Sequence, residues 1–205
     1  FFSWVHFYDP HTPYAPPARY VEKDNEDDDL KLYAGEIEYV DEQVGKIMAD
    51  LKSSGTLDKT LVVIVGDHGE AFGEHNEYGH SVFFYEETIK VPLIFYNENM
   101  FEHKIIDRRV NLVDVMPTLL DLLHIKIPAA VQGQSMLPMM RGKEEEKERT
   151  FYLESIYGSE ELNWAPLTGL IEDDYKFISA PEPELYNLKT DPEENVIKYN
   201  VKTRT

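Results

Sequence analysis

The chain has 205 residues, of which 42% are hydrophobic, and it carries a formal net charge of -19. A hydrophobic share of this size supports a packed core and excludes a disordered chain, and the negative charge argues against nucleic acid as a partner because phosphate binding needs a basic surface. The sequence contains no cysteine, which excludes disulfides and a cysteine nucleophile within it, and it has no apolar run near the roughly 18 residues of a membrane span.

The first predicted elements are a strand and a long helix. Aromatic and β-branched residues fill positions 1–8, which predicts a buried strand, and a proline-rich loop with His11 follows it. Apolar residues then recur at helical spacing, which predicts an amphipathic helix over 30–53 that ends at Gly55.

The second predicted strand leads directly into the most informative motif. Residues 60–65 form a near-continuous apolar run, which is typical of a parallel strand covered on both faces. The run is followed by Gly66-Asp67-His68-Gly69-Glu70. Open α/β sheets bind ligands at the carboxyl ends of their strands, and a carboxylate beside an imidazole suits a divalent cation. The motif therefore predicts a metal site with Asp67 and His68 as ligands, although such a pair also occurs in ordinary capped turns.

Several neighbouring residues extend this candidate site. His80 follows Gly79, and His11 lies in Asp9-Pro10-His11-Thr12-Pro13, and the presence of these histidines strengthens the prediction of a metal site. Glu70 is predicted to support the loop or to orient a ligating histidine, because ligating histidines usually need such a partner. His75, in Gly73-Glu74-His75, is predicted to have a structural, supporting role.

The second half of the chain predicts further alternation and then short strands. A short helix over 84–89, a strand over 91–96 and a helix over 110–123 come first, and strands over 151–156, 167–171 and 175–180 follow. The alternation predicts an α/β fold with a mixed, mostly parallel sheet flanked by helices, and the last strands predict a small C-terminal antiparallel sheet. The charged stretch 143–149 predicts a boundary between domains 1–142 and 143–205.

A set of motifs in order along nearly the whole chain resembles the C-terminal part of a sulfatase, within the alkaline phosphatase superfamily. The segments that carry the resemblance are Val5-His6-Phe7-Tyr8-Asp9-Pro10-His11-Thr12-Pro13-Tyr14, Tyr39-Val40-Asp41-Glu42-Gln43-Val44-Gly45, Asp67-His68-Gly69-Glu70 with Gly73-Glu74-His75, residues 85–94, 111–120 and 133–137, and Glu184-Leu185-Tyr186-Asn187-Leu188 with Asp191-Pro192-Glu193. The family's fold, a mostly parallel sheet between helices with a small C-terminal antiparallel sheet, agrees with the elements above.

The resemblance implies roles for the candidate residues. Asp67 and His68 would complete a divalent cation site together with acids that family members carry upstream. Calcium is the family's usual metal, while a histidine ligand also suits manganese or zinc. His11 would contact the substrate or protonate the leaving oxygen, since imidazole gains and loses a proton around neutrality. His80 stands where many sulfatases have lysine, and when protonated it would balance charge on the sulfate oxygens.

The family's nucleophile is the main departure from the pattern. Sulfatases carry it near the N-terminus in a Cys-x-Pro-x-Arg or Ser-x-Pro-x-Arg segment whose first residue becomes formylglycine, and this sequence contains neither segment. The resemblance therefore implies an incomplete fold: a fragment that begins after the nucleophile, is inactive alone, and would be joined to formylglycine upstream.

The resemblance favours hydrolysis of small-molecule or saccharide sulfate esters, and two alternatives stay open. One is phosphoester or phosphonate hydrolysis, or phosphoglycerol transfer, within the same superfamily, carried by a serine or threonine nucleophile and often two metals. The other is a non-catalytic binding module, which is disfavoured because an α/β half-fold with a strand at its first residue would leave an unpaired sheet edge. Family members are often exported, so an extracytoplasmic location is favoured, while the sequence makes no prediction of oligomeric state.

Overall fold

The structure is a computed structural model that describes residues 1–21, 28–143 and 149–198. It divides into two compact units, which are described separately. Unit 1 takes its described residues from Phe1–Val63, Ala71–Gly79 and Phe95–Asn99, and unit 2 takes them from Ile64–Glu70, His80–Ile94 and Met100–Thr205. The helices are α1 (Asp29–Ser53), α2 (Glu86–Ile89), α3 (Val115–Leu122), α4 (Leu137–Met140) and α5 (Tyr157–Glu161). The strands are β1 (Val62–Val65), β2 (Ala71–Phe72), β3 (Tyr78–Gly79), β4 (Leu93–Tyr96), β5 (Phe151–Ser155), β6 (Leu167–Glu172), β7 (Tyr175–Ser179) and β8 (Glu184–Asn187).

Helix α1 of unit 1 confirms the helix predicted from apolar spacing. Asp28 caps its first turn, where the side chain accepts a hydrogen bond from the backbone N–H of Lys31 at 3.3 Å. Gly55 follows the last turn with φ +67°, a conformation that glycine adopts without steric cost. The observed bounds agree with the prediction to within one residue at the start.

The strand predicted over residues 1–8 is wrong for this structure. The segment has no regular secondary structure, and the side chains of Phe1 and Trp4 are 94% and 74% exposed. His6 is also exposed rather than buried. A strand needs a neighbour to bond its backbone groups, and no strand in the described ranges pairs with this segment.

Strands β1 and β4 form a two-stranded sheet, and the contacts at its two ends show the direction of the pair. Gly66, just after β1, donates its N–H to the carbonyl of Pro92, just before β4, at 3.1 Å. At the other end, the side chain of Asn97 donates to the carbonyl of Thr60 at 3.0 Å. The end of each strand therefore lies beside the start of the other, so the two strands are antiparallel. Residues 60–65 were predicted to form a parallel strand, which is not how they pair with β4.

The C-terminal part of unit 2 is a four-stranded antiparallel sheet in the order β5-β6-β7-β8. Three of its strands agree with the prediction, which confirms the small antiparallel sheet, and the fourth, β8, was not predicted as a strand. One face of the sheet covers a hydrophobic cluster made of Phe84, Phe151, Ile171, Ile178, Tyr186 and Leu188. Since Phe84 precedes α2, this cluster fixes the segment that enters α2 against the sheet.

A buried carboxylate organises the segment before α3. Asp114 is fully buried and accepts hydrogen bonds from both terminal nitrogens of Arg149, at 2.7 and 2.9 Å, and from the N–H groups of Asn111 and Gln134, both at 2.9 Å. A 3₁₀ helix over Leu112–Asp114 leads into α3. These bonds connect three stretches of chain that lie far apart in the sequence.

The second half of the chain contains α3 and the predicted domain boundary. Pro117 lies in the first turn of α3, where its missing N–H costs no hydrogen bond. The boundary at 143 stays a prediction, and residues 144–148 of the charged stretch lie outside the described residues. Across the residues that the structure describes, no helix is both long enough and apolar enough to span a membrane.

Candidate functional site

Two glycines hold the loop after β1 in place within unit 2. Gly69 donates its N–H to the carbonyl of Thr88 in α2 at 2.8 Å. A Cβ at Gly69 would lie 2.0 Å from the carbonyl oxygen of Glu87, so only glycine fits there. At Gly66 a Cβ would lie 3.3 Å from side-chain atoms of Val91 and Pro92, a milder contact, and the Gly66 N–H donates to the carbonyl of Pro92 at 3.1 Å. The loop that contains Asp67 and His68 is therefore fixed at both ends by backbone contacts.

Asp67 and His68 present two ligand atoms on the surface of unit 2. The Asp67 side chain is 77% exposed, and its Oδ1 accepts a hydrogen bond from the N–H of His68 at 3.0 Å. The imidazole Nδ1 lies 2.9 Å from the carbonyl of Gly69, and because a carbonyl only accepts, Nδ1 carries the proton. In the neutral ring the lone pair is then on Nε2, which lies 3.9 Å from Asp67 Oδ2.

His80 is brought beside this pair by a buried acid. Its Nδ1 lies 3.0 Å from Oε1 of Glu70, and the Glu70 side chain is 3% exposed. Since a carboxylate accepts, Nδ1 of His80 donates, and the ring is oriented by Glu70. The rings of His68 and His80 are stacked with their centroids 4.0 Å apart. Glu70 was predicted to support the loop or to orient a ligating histidine. In the structure its carboxylate contacts the ring of His80.

The chemistry of this group suits a divalent cation. Two ligands of one cation, each about 2.0–2.6 Å from it, lie roughly 3–4 Å apart, which matches the separation of Asp67 Oδ2 and His68 Nε2. Ligating histidines usually donate their other ring nitrogen to an acceptor, as His68 does to Gly69. The residues present therefore fit a metal ion as two of its ligands.

The remaining predicted residues belong to unit 1. His11 donates from Nδ1 to the carbonyl of Thr12 at 2.7 Å, and its ring lies 4.8 Å from that of Tyr8. His75 lies in a 3₁₀ turn between β2 and β3 and has a positive φ of 51°. The structure thus gathers four of the six predicted residues in unit 2 and places His11 and His75 in unit 1.

One residue near His11 was missed by the sequence reasoning. Glu36 of α1 is 2% exposed, and its Oε1 accepts a hydrogen bond from the N–H of Ala15 at 2.7 Å. Burial raises the pKa of this carboxyl, and like charge on Asp9 raises it further, whereas the N–H of Ala15 and the charge of His11 lower it. The sequence offered one signal for the burial of Glu36: this residue lies four positions before Val40 and therefore on the same face of the helix.

Two family descriptions match the chain. A sulfatase family matches residues 1–125, and the family described as "N-sulphoglucosamine sulphohydrolase, C-terminal" matches residues 73–204. The arylsulfatase of Clostridium perfringens is 29% identical to the chain, over 79% of the chain and 34% of the relative. The chain spans about a third of the length of the curated relatives it matches.

Solved structures of similar proteins share the fold. A protein bound to its substrate D-glucosamine-2-N,6-O-disulfate is 27% identical, with a TM-score of 0.68 over 80% of this chain and 35% of the other. A phosphonate monoester hydrolase from Silicibacter pomeroyi is 24% identical, with a TM-score of 0.68 over 78% of this chain and 35% of the other, which shows likeness of fold alone.

Proposed function

The chain belongs to the sulfatase family, and from this premise we propose that it forms part of a hydrolase that cleaves sulfate esters with the help of a divalent cation. The observation that supports the proposal most is the pair Asp67 and His68, whose Oδ2 and Nε2 atoms lie 3.9 Å apart beside the ring of His80.

Asp67 and His68 are the residues that would hold the cation. A bound cation supplies Lewis-acid polarisation of the ester oxygens. Calcium is the family's usual ion, whereas the imidazole donor of His68 also suits manganese or zinc, so we propose calcium first and manganese second. The contribution of this chain is to fix the two donors, through the contact of Gly69 with Thr88 and the bond from His68 to Gly69.

His80 and His11 are the proposed catalytic residues. Glu70 orients His80, and when this ring is protonated it can donate hydrogen bonds to anionic oxygens of the substrate. His11 would donate a proton to the leaving oxygen, which takes the electron pair of the breaking S–O bond. A formylglycine in the family's upstream segment would supply the hydroxyl nucleophile for the sulfuryl group, and the proton of that hydroxyl would be released to solvent.

A sulfated amino sugar is the proposed class of substrate. The support is the similar solved protein whose substrate is D-glucosamine-2-N,6-O-disulfate, together with the match of residues 73–204 to the N-sulphoglucosamine sulphohydrolase description. The sulfate groups of such a substrate suit the proposed cation beside the His80 ring of unit 2.

The first test combines peptide mass spectrometry with an assay on the full-length natural protein. We expect an aldehyde-bearing residue in a segment upstream that ends in Pro-x-Arg, and release of sulfate from glucosamine sulfates. An unmodified threonine or serine nucleophile together with hydrolysis of phosphate or phosphonate esters would replace the sulfatase proposal by the second candidate. The absence of any such segment together with no ester hydrolysis would support a non-catalytic module.

Phosphonate or phosphoester hydrolysis is the second candidate. The likeness of fold to the phosphonate monoester hydrolase favours it, as does His80 at a position where many sulfatases have lysine. A neutral imidazole at this position could bind a second metal ion, which phosphoryl transfer often uses. A cation stoichiometry of two per chain would favour this candidate over the first.

A further inference from the structure

The backbone directly after His80 takes a conformation that residues with side chains rarely adopt. Ser81, the next residue, has a φ of +88°. Glycine adopts such a φ without steric cost, whereas a serine is strained there and stays only where its surroundings hold it. Contacts from elsewhere in unit 2 must therefore keep Ser81 in place.

A hydroxyl of the C-terminal sheet supplies the polar contact. Ser155 is the last residue of β5, and its Oγ lies 2.9 Å from the carbonyl oxygen of Ser81 and 2.7 Å from that of Val82. A serine hydroxyl has one proton, so Ser155 donates it as a hydrogen bond shared between the two carbonyls. Ser155 follows Ser81 by 74 residues, so the folding of unit 2 brings the two together.

Phe84 supplies an apolar contact between the same segment and the same sheet. Its ring belongs to the hydrophobic cluster that the sheet covers. At Gly169 of β6 an added Cβ would lie 2.9 Å from a carbon of this ring, so glycine is what lets the ring come so close. Residues 81–84 are thus held against the sheet by a hydroxyl at one end and by an aromatic ring at the other.

His80 lies between this anchored segment and the acid that orients its ring. Glu70 accepts from Nδ1 of His80 at 3.0 Å, which fixes the direction of the imidazole. That bond alone does not fix where the ring lies, because a ring can follow a moving backbone by rotating its side-chain torsions. Ser155 fixes the backbone that carries the ring, and Glu70 fixes the ring itself.

We propose that Ser155 is a positioning residue for His80: its hydroxyl holds the turn at Ser81 and so places the imidazole where it can donate hydrogen bonds to anionic oxygens of the substrate. This proposal rests on the proposed catalytic role of His80. Without the hydroxyl, Ser81 can relax out of its strained conformation and carry the ring with it. The C-terminal sheet thereby takes part in arranging the site.

The test compares Ser155→Ala with Ser155→Thr in the full-length protein. Alanine removes the hydroxyl, whereas threonine keeps it on a branched side chain that suits a strand. Ser159→Ala is the matched control, because Ser159 Oγ also donates to a backbone carbonyl, that of Ile156 at 2.8 Å, within its own turn of chain.

Activity separates positioning from a general loss of structure. Small displacements of a catalytic group are costly, so we expect kcat/KM for sulfate esters to fall by about 10-fold or more in Ser155→Ala. Ser155→Thr and Ser159→Ala should retain most of the activity of the unchanged protein. Full activity in Ser155→Ala, or a loss that either of the other two variants shares, would overturn the proposal.

Nuclear magnetic resonance of the histidine rings measures the positioning without activity. The Nδ1 proton that His80 donates to Glu70 should exchange slowly with solvent, and His80→Asn assigns its signal. In Ser155→Ala we expect this exchange to be about 10-fold faster, because the turn opens locally, and in Ser159→Ala we expect no change. Equal exchange in Ser155→Ala and the unchanged protein would overturn the inference. If the unchanged protein hydrolyses no sulfate ester but exchange still accelerates in Ser155→Ala, the proposed function fails while the positioning of His80 by Ser155 stands.

Discussion

Asp114 and Asp67 are two aspartates of unit 2 in opposite surroundings. Asp114 is fully buried, and each of its oxygens is hydrogen-bonded to Arg149 and to a backbone amide. The Asp67 side chain is 77% exposed, and in the described residues its only hydrogen bond is from the N–H of His68. The first carboxylate uses all of its acceptor sites to hold the fold, whereas the second keeps one oxygen available.

The contrast separates a structural acid from a candidate ligand. A bonded, buried carboxylate stabilises the protein because its burial is compensated by charge-assisted hydrogen bonds. An exposed carboxylate with a fixed backbone contributes little to stability, but its free oxygen can bind a cation. The comparison predicts that substitution of Asp114 lowers the stability of the protein, whereas substitution of Asp67 weakens its binding of metal.

The largest effect should come from Asp114→Ala. Removing this acid leaves the guanidinium of Arg149 without its partner, and breaking such a buried pair costs about 3–5 kcal/mol. Urea unfolding of the full-length protein should show this loss, with Asp107→Ala, at an exposed position of the same unit, as the control. A loss below about 1 kcal/mol would mean that the pair does not anchor α3.

Asp67→Ala should give the reverse result. We expect the affinity of the Asp67→Ala protein for calcium and manganese to fall by more than about 100-fold. Loss of a residue that only supports a metal ligand costs at most about 100-fold, and loss of a ligand itself should cost more. The free energy of unfolding without metal should change by at most about 0.5 kcal/mol, because the side chain is exposed. Isothermal titration and urea unfolding measure the two effects, and unchanged affinity would remove Asp67 from the site.

Glu70 sharpens the comparison because it is a buried acid that contacts His80 of the proposed site. Glu70→Gln still accepts from His80 but carries no charge, so we expect about a 10-fold loss of ester hydrolysis, and about a 100-fold loss for Glu70→Ala. Glu182→Gln, at an exposed position, is the control. Equal activity of all three variants would show that the orientation of His80 does not matter.

The smallest expected effect is the contribution of Glu194 to the pH dependence of protein stability. This buried acid lies 2.9 Å from Nζ of Lys176, yet burial outweighs that charge and raises the pKa of Glu194. A raised carboxyl pKa contributes stability below the ordinary value of about 4.3, and that stability is lost as pH rises through the folded value. The stability of the unchanged protein relative to Glu194→Gln should therefore fall as pH rises above about 4.3.

Asp114 should show the opposite slope. Burial alone would raise its pKa, but the hydrogen bonds from Arg149 and from two backbone amides outweigh burial and lower it. Its contribution is therefore present above the ordinary aspartate value of about 3.9 and is lost as pH falls through the folded value. Urea unfolding between pH 3 and 7 tests both signs, and parallel slopes for Glu194 and Asp114 would contradict the comparison.

The sequence by itself determined the features that depend on local spacing. Helix α1 follows from apolar residues three and four positions apart, and three strands of the C-terminal sheet follow from short apolar runs between turns. The candidate ligands Asp67 and His68 could be found because they follow an apolar strand directly. These signals need only the periodicity of the backbone and the chemistry of neighbouring residues.

The tertiary structure decided which side chains meet and which are buried. Glu70 bonds His80 ten residues away, and Asp114 bonds Arg149 thirty-five residues away, so no local pattern shows either pair. Burial of Glu36 depends on the loop that lies over α1, and exposure of residues 1–8 depends on the lack of a pairing strand in the described residues. Hydrogen-bond partners and burial are set by how distant segments pack, which spacing along the chain does not encode.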